Sequence, residues 1–168
     1  MAPAVIKRGG ALLVSAAAVA VMSGCTVPPV AVTGISIGPD GQPIGVLQGC
    51  SQHIDGATVY QTDTDHLGSW GIKPAATGFT TWSLLRGGTG WTVTEPLVAI
   101  KPDQTFTLYG WTKDNSSAAI PVDFTAADLV ALRPAQVRVW SGKISSHGDV
   151  EATLSIEQFK KNACDLVN

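Results

Sequence analysis

The stretch TFTLYGWTKDNSSAAIPVDF, residues 105–124, decides the fold class. Its first part, Thr105 to Thr112, is built from threonine and aromatic residues that suit a pleated, half-buried surface. Asp114, Asn115, Ser116 and Ser117 follow as a turn cluster, because their short polar side chains bond their own backbone. Ile120, Val122 and Phe124 then alternate with Pro121 and Asp123, the two-residue period of a returning strand. Pro121 has no N–H to give to a ladder, so this strand belongs at an edge or carries a bulge.

The same pattern repeats outward from there. Ile35 and Ile37 alternate with small residues up to Pro39-Asp40-Gly41-Gln42-Pro43, a turn in which proline presets φ and glycine supplies positive φ. Ile44, Val46 and Cys50 return on one side of the second strand, which completes a hairpin. Further strands are expected at Ala57–Thr62, Phe79–Leu85, Trp91–Thr94, Gln136–Trp140 and Val150–Leu154. Helical signals are few. Thr125 and Asp128 have capping-box spacing, and that turn must end before Pro134. Ser155-Ile156-Glu157-Gln158 is a second capping box, with Ile156, Phe159, Ala163 and Leu166 at helical spacing, so a helix is expected from Ile156 to Asp165. Short strands at this spacing without long helices predict a mainly β domain, a sandwich or barrel, over residues 34–154, with the C-terminal helix of residues 155–168 packed on it.

Ile100, Pro102, Thr105 and Phe106, with the strand, polar turn and strand that follow, resemble the E–F corner and last hairpin of fibronectin type III modules. Phe106 stands where that family has its corner tyrosine, so the hydrogen bond of the tyrosine corner is missing. The resemblance spans about 25 residues and implies an immunoglobulin-like β-sandwich with no function attached.

The chain has 168 residues, 11 Lys+Arg against 13 Asp+Glu and a net charge of −2. Such a balance gives no electrostatic case for nucleic acid. The first 24 residues read as a leader: Lys7 and Arg8, then an apolar run from Ala11 to Val21 that is too short to span a bilayer. Met22-Ser23-Gly24-Cys25 resembles the lipobox of bacterial lipoprotein precursors. That resemblance implies cleavage before Cys25, a diacylglyceryl (palmitate-type) lipid on its sulfur, and a location on the outer face of the cytoplasmic membrane. Residues 25–33 would then be the lipidated cysteine and a linker, with Pro28-Pro29 as a stiff spacer. Loss of Lys7 and Arg8 would leave 9 basic and 13 acidic residues, a net −4 that anionic lipid repels, so the body is expected to stand off from the membrane. The Ala/Gly/Thr-rich, lysine-poor style is similar to that of uncharacterised actinobacterial lipoproteins. With Cys25 lipidated, Cys50 and Cys164 are left to form the one available bridge, or to stay as two free thiols, which an oxidising compartment disfavours.

Chemistry-bearing residues are sparse. Gly34-Ile35-Ser36-Ile37-Gly38 matches the string of a hydrolase nucleophile elbow, but a hairpin turn follows it where that motif needs a helix. His53, Asp55, Asp63, Asp65 and His66 form the one dense set of ligand-type residues; they flank the strand Ala57–Thr62, and a metal site would need three or four of them to converge. Trp70, in Gly68-Ser69-Trp70-Gly71, is expected in a loop, where it could stack on a sugar or fill one end of the sandwich. Tyr60 and Tyr109 carry the same two readings. No cofactor motif is present, and Lys160-Lys161 reads as the solvated face of the last helix. The leading expectation is a non-catalytic module of the cell envelope. It would bind a protein or envelope component through loops near Gln52–Asp55, Asp63–Gly71 and Asp114–Ser117. The alternatives are a glycan-binding module centred on Trp70 and a small metal-dependent hydrolase using His53, Asp63, Asp65 and His66.

Overall fold

The computed structural model describes residues 27–61, 66–145 and 148–167. The leader, the lipobox with Cys25, and Asp63 and Asp65 lie outside the described residues. The protein is mainly β: eleven strands among the described residues, one short helix between strands, and one at the C-terminus. The strands are β1 (Pro29–Ile37), β2 (Pro43–Gly49), β3 (Ile54–Gln61), β4 (His66–Ala76), β5 (Phe79–Ser83), β6 (Trp91–Glu95), β7 (Thr105–Trp111), β8 (Ala118–Ile120), β9 (Val122–Thr125), β10 (Gln136–Ser145) and β11 (Gly148–Ser155). The helices are α1 (Ala126–Ala131) and α2 (Ile156–Asn162), the latter continued by a 3-10 turn over Ala163–Leu166.

β1 and β2 form the expected hairpin, with Ile37 opposite Pro43 and Ala31 opposite Gly49. Gly41 has φ +76°, the left-handed conformation that this turn asks of glycine. β5 extends the hairpin on the far side of β2. A second run of pairings joins β7 to β3, β3 to β4 and β4 to β6. The two runs meet at β1, which pairs with β8 in parallel while β8 and β9 line the edge of β7. Pro121 falls between β8, which pairs with both β1 and β7, and β9, which pairs with β7. All eleven strands therefore form one sheet. The sheet curls nearly into a barrel: the outer strands β5 and β6 approach through the bridges Ser83–Gly87 and Gly88–Trp91, and Trp82 stacks on Trp91 with ring centroids 4.1 Å apart.

The period of two separates the side chains into layers. Ala31 and Ile35 of β1, Leu47 of β2, Val59 of β3, Trp82 of β5 and Leu108 of β7 fill the interior. Val32, Val46, Val137 and Val139 face the other way and are covered by Phe159 and Ala163. The C-terminal segment thus seals the outer side of β1, β2 and β10. Its start is set by Ser155, whose hydroxyl accepts from Gln158 N while the Gln158 side chain accepts from Ser155 N. Thr125 and Asp128 cap α1 in the same reciprocal way. A disulfide joins Cys50, just past β2, to Cys164 in the 3-10 turn.

Three expectations are corrected. The linker drawn over residues 25–33 is largely strand, since β1 starts at Pro29 and Val30, Ala31 and Val32 are buried. Proline is tolerated there because the first residue of a strand need not donate. Asp63–Gly71 is not an end loop throughout: β4 begins at His66 and runs for 11 residues, through the glycines that hid it. Trp70 accordingly lies on a strand, fully buried beside Trp82.

Candidate functional site

A concavity lies on the outer face of β3, β4 and β7. In the β3–β7 register Thr58 faces Tyr109 and Tyr60 faces Thr107, so Tyr60 and Tyr109 are diagonal neighbours on one face. Their rings meet edge to face, 5.5 Å between centroids at 82°. His66 faces Tyr60 across the β3–β4 pair and extends the row. Trp111, two residues beyond Tyr109, lies directly over Gly56, where a Cβ would run into the indole. Its indole N–H donates to Thr58 Oγ1 at 2.9 Å, which fixes the ring against the sheet. Behind this row, Thr58 Oγ1 and Ser69 Oγ are 3.2 Å apart, so the polar atoms under the rings bond one another.

The far wall of the concavity is β8 with Pro121, and its rim is Val27 and Pro29 at the start of the described chain. The cleft has a volume of about 610 Å³. Clefts of roughly 300–1,000 Å³ are the usual size for small-molecule sites. Its polar side chains are two phenols and one imidazole. Partial burial of the Tyr109 phenol, and then the nearby Tyr60, push its pKa above the ordinary value.

A second depression, about 400 Å³, lies near the β1–β2 turn. Leu85, Val98 and Val130 gather there as exposed side chains, Val130 at 87%.

Among the described residues, those singled out from the sequence are dispersed. His53 precedes β3 and His66 follows it, so a strand of eight residues separates them. That is roughly 25 Å at about 3.3 Å per residue. They cannot share one metal ion, and no group of three or more His, Cys, Asp or Glu gathers among the described residues. His53 Nε2 is 3.4 Å from Asp55 Oδ2, and the same carboxylate oxygen accepts from Lys113 N at 3.0 Å. Ser117 Oγ donates to Gln52 Oε1 at 3.2 Å. The Gln52–Asp55 and Asp114–Ser117 segments are therefore brought together, and their polar groups tie the two loops to each other. Asp114 accepts from Ser116 N, and bonds from Ser116 and Thr112 hold its pKa down to about 2. Ser36 is buried on β1 with its hydroxyl donating to the Gln136 carbonyl, the opposite of an exposed nucleophile. Trp70 is in the core and offers no face to a sugar.

Sequence reading missed the cleft because four separate strands, β3, β4, β7 and β8, and the start of β1 build it. The signal that could have found it was Tyr60 and Tyr109, each in a strand pattern and each two residues from a small or polar outward neighbour. No protein-family model, curated protein or solved structure matches this chain.

Proposed function

We propose that this chain is a lipid-anchored, non-catalytic module of a bacterial cell envelope. Cys25 would be its acylated N-terminus and its body an immunoglobulin-like sandwich. The observation that carries the reading is the Cys50–Cys164 disulfide. Such bridges persist in oxidising, extracytoplasmic compartments, which is where the leader and the Met22–Cys25 block would deliver the chain. The pairing order supports the fold assignment. In that reading the order β1–β2–β5 would correspond to strands A, B and E, and β3–β7–β8/β9 to C, F and G, with β4 and β6 added at the C edge and β10–β11 added beside β1. The parallel β1–β8 pair then ties the two halves together. A binding role is supported by the aromatic cleft of Tyr60, Tyr109 and His66, whose size suits a small-molecule site.

The test is an intact mass of the protein extracted from its own membrane fraction. A chain starting at Cys25, heavier by a diacylglyceryl group and lighter by the two protons of one disulfide, is the expected species. An unacylated chain that still carries residues 1–24 would sink the anchor, and a reduced chain would remove the compartment argument.

A further inference from the structure

The start of β1 at Pro29 leaves almost no tether. With cleavage before Cys25, only Thr26 separates the lipidated residue from Val27, and two residues span about 7 Å at most. Val27 is 41% exposed and forms one wall of the Tyr60–Tyr109 cleft. A lipid on Cys25 would therefore hold the surface around Val27, and with it this cleft, near the bilayer. Among the described residues its lining contains no Lys, Arg, Asp or Glu. Aromatic rings with an apolar body and a polar tip favour the membrane–water interface.

We propose that the outer face of β3, β7 and β8 docks on the lipid surface. Val27 and Pro121 would meet the acyl boundary, and Tyr60, Tyr109 and His66 the headgroup level. The inference rests on lipidation of Cys25. The body lies on its side rather than standing off on a stalk. α2 packs on the outer side of β1, β2 and β10, in a cluster that meets the cleft lining only at Ile120, so its exposed side serves as the reference away from the tyrosines. Two acyl chains already retain the protein on the membrane, so docking sets its orientation.

The test uses the full chain from its membrane fraction, reconstituted into phosphatidylcholine vesicles brominated near the headgroup. Two tryptophan reporters, Tyr60→Trp on the docking face and Lys161→Trp on α2, are each read against the parent emission. The expected result is loss of most of the emission added by Tyr60→Trp and none of that added by Lys161→Trp. His66→Trp, at an exposed position, serves if Tyr60→Trp does not fold. No quenching of either face reporter on a chain whose mass shows diacylated Cys25 overturns docking and leaves the anchor standing. Equal quenching of both sides overturns it as well. An unmodified Cys25 overturns the anchor and docking together. A saturable response of Tyr60→Trp to soluble envelope polysaccharide, with no response to brominated lipid, assigns the face to glycan instead.

Discussion

Replacing both members of the Cys50–Cys164 bridge by serine should cost about 5 kcal/mol of unfolding free energy. The two cysteines are 114 positions apart. Cross-linking a loop of that length removes entropy from the unfolded chain worth about 5 kcal/mol at 25 °C. Domains are commonly stable by only about 5–15 kcal/mol, so the loss is a third of the total or more. The structure adds a local effect. Cys164 sits in the turn that follows α2, and Phe159 is the one side chain of α2 that is fully buried. Full burial of such a side chain is worth roughly 1.5–3 kcal/mol, little to hold a terminal segment once the covalent tie is gone. Urea unfolding of Cys50→Ser/Cys164→Ser, followed by tryptophan emission, should show a midpoint lowered by that loss. Amide exchange should show α2 opening before the sheet. A loss below about 1 kcal/mol with α2 protection unchanged would refute the reasoning: the bridge would then constrain neither the unfolded chain nor the helix.

Trp70→Ala should cost about 3–5 kcal/mol in urea unfolding, because it empties a core site beside Trp82; a loss under 1 kcal/mol would contradict its burial. The Tyr109 phenol should ionise above its ordinary value when absorbance is followed in alkali, and Tyr60→Phe should bring it down. Since the folded value is the raised one, the associated stability is full below pH 10.0 and is lost as pH climbs through the folded value. Ser155→Ala removes one half of a capping box and should cost about 1 kcal/mol, read as a lowered urea midpoint and faster exchange in α2.

What could be read beforehand was local chemistry. Pro39-Asp40-Gly41 specified the first hairpin, Thr105–Thr112 its strand, and Thr125 and Ser155 the two helix starts, because each depends on neighbours within four positions. β4 escaped because Gly68, Gly71 and Pro74 interrupt its alternation. Gly68 sits where a ring and backbone approach: a Cβ there would lie 3.0 Å from both Trp70 and Leu97. A glycine that reads as a loop in one dimension was, in three, the space a ring required. Pro28-Pro29 misled in a similar way, since an extended spacer and the first residue of a strand ask the same φ of proline. The cleft was out of reach for a different reason. Tyr60, His66 and Tyr109 meet through strand register, and Val27 joins them only because β1 runs parallel to β8.

That parallel pair also dictates when the protein can become itself. β1 leaves the ribosome and any export channel first, yet its hydrogen bonds go to β8 and β10 as well as to β2. Gly34 finds Val139 about 100 positions later, and pairings so distant place folding in the slow, millisecond-to-second class. The hairpin with β2 can form early, but one edge of β1 stays open until nearly the whole chain has emerged. Under the proposed export, a chain built in this way would cross the membrane unfolded without having to undo a finished domain. Its first strand, nearest the proposed anchor, is among the last to be completed.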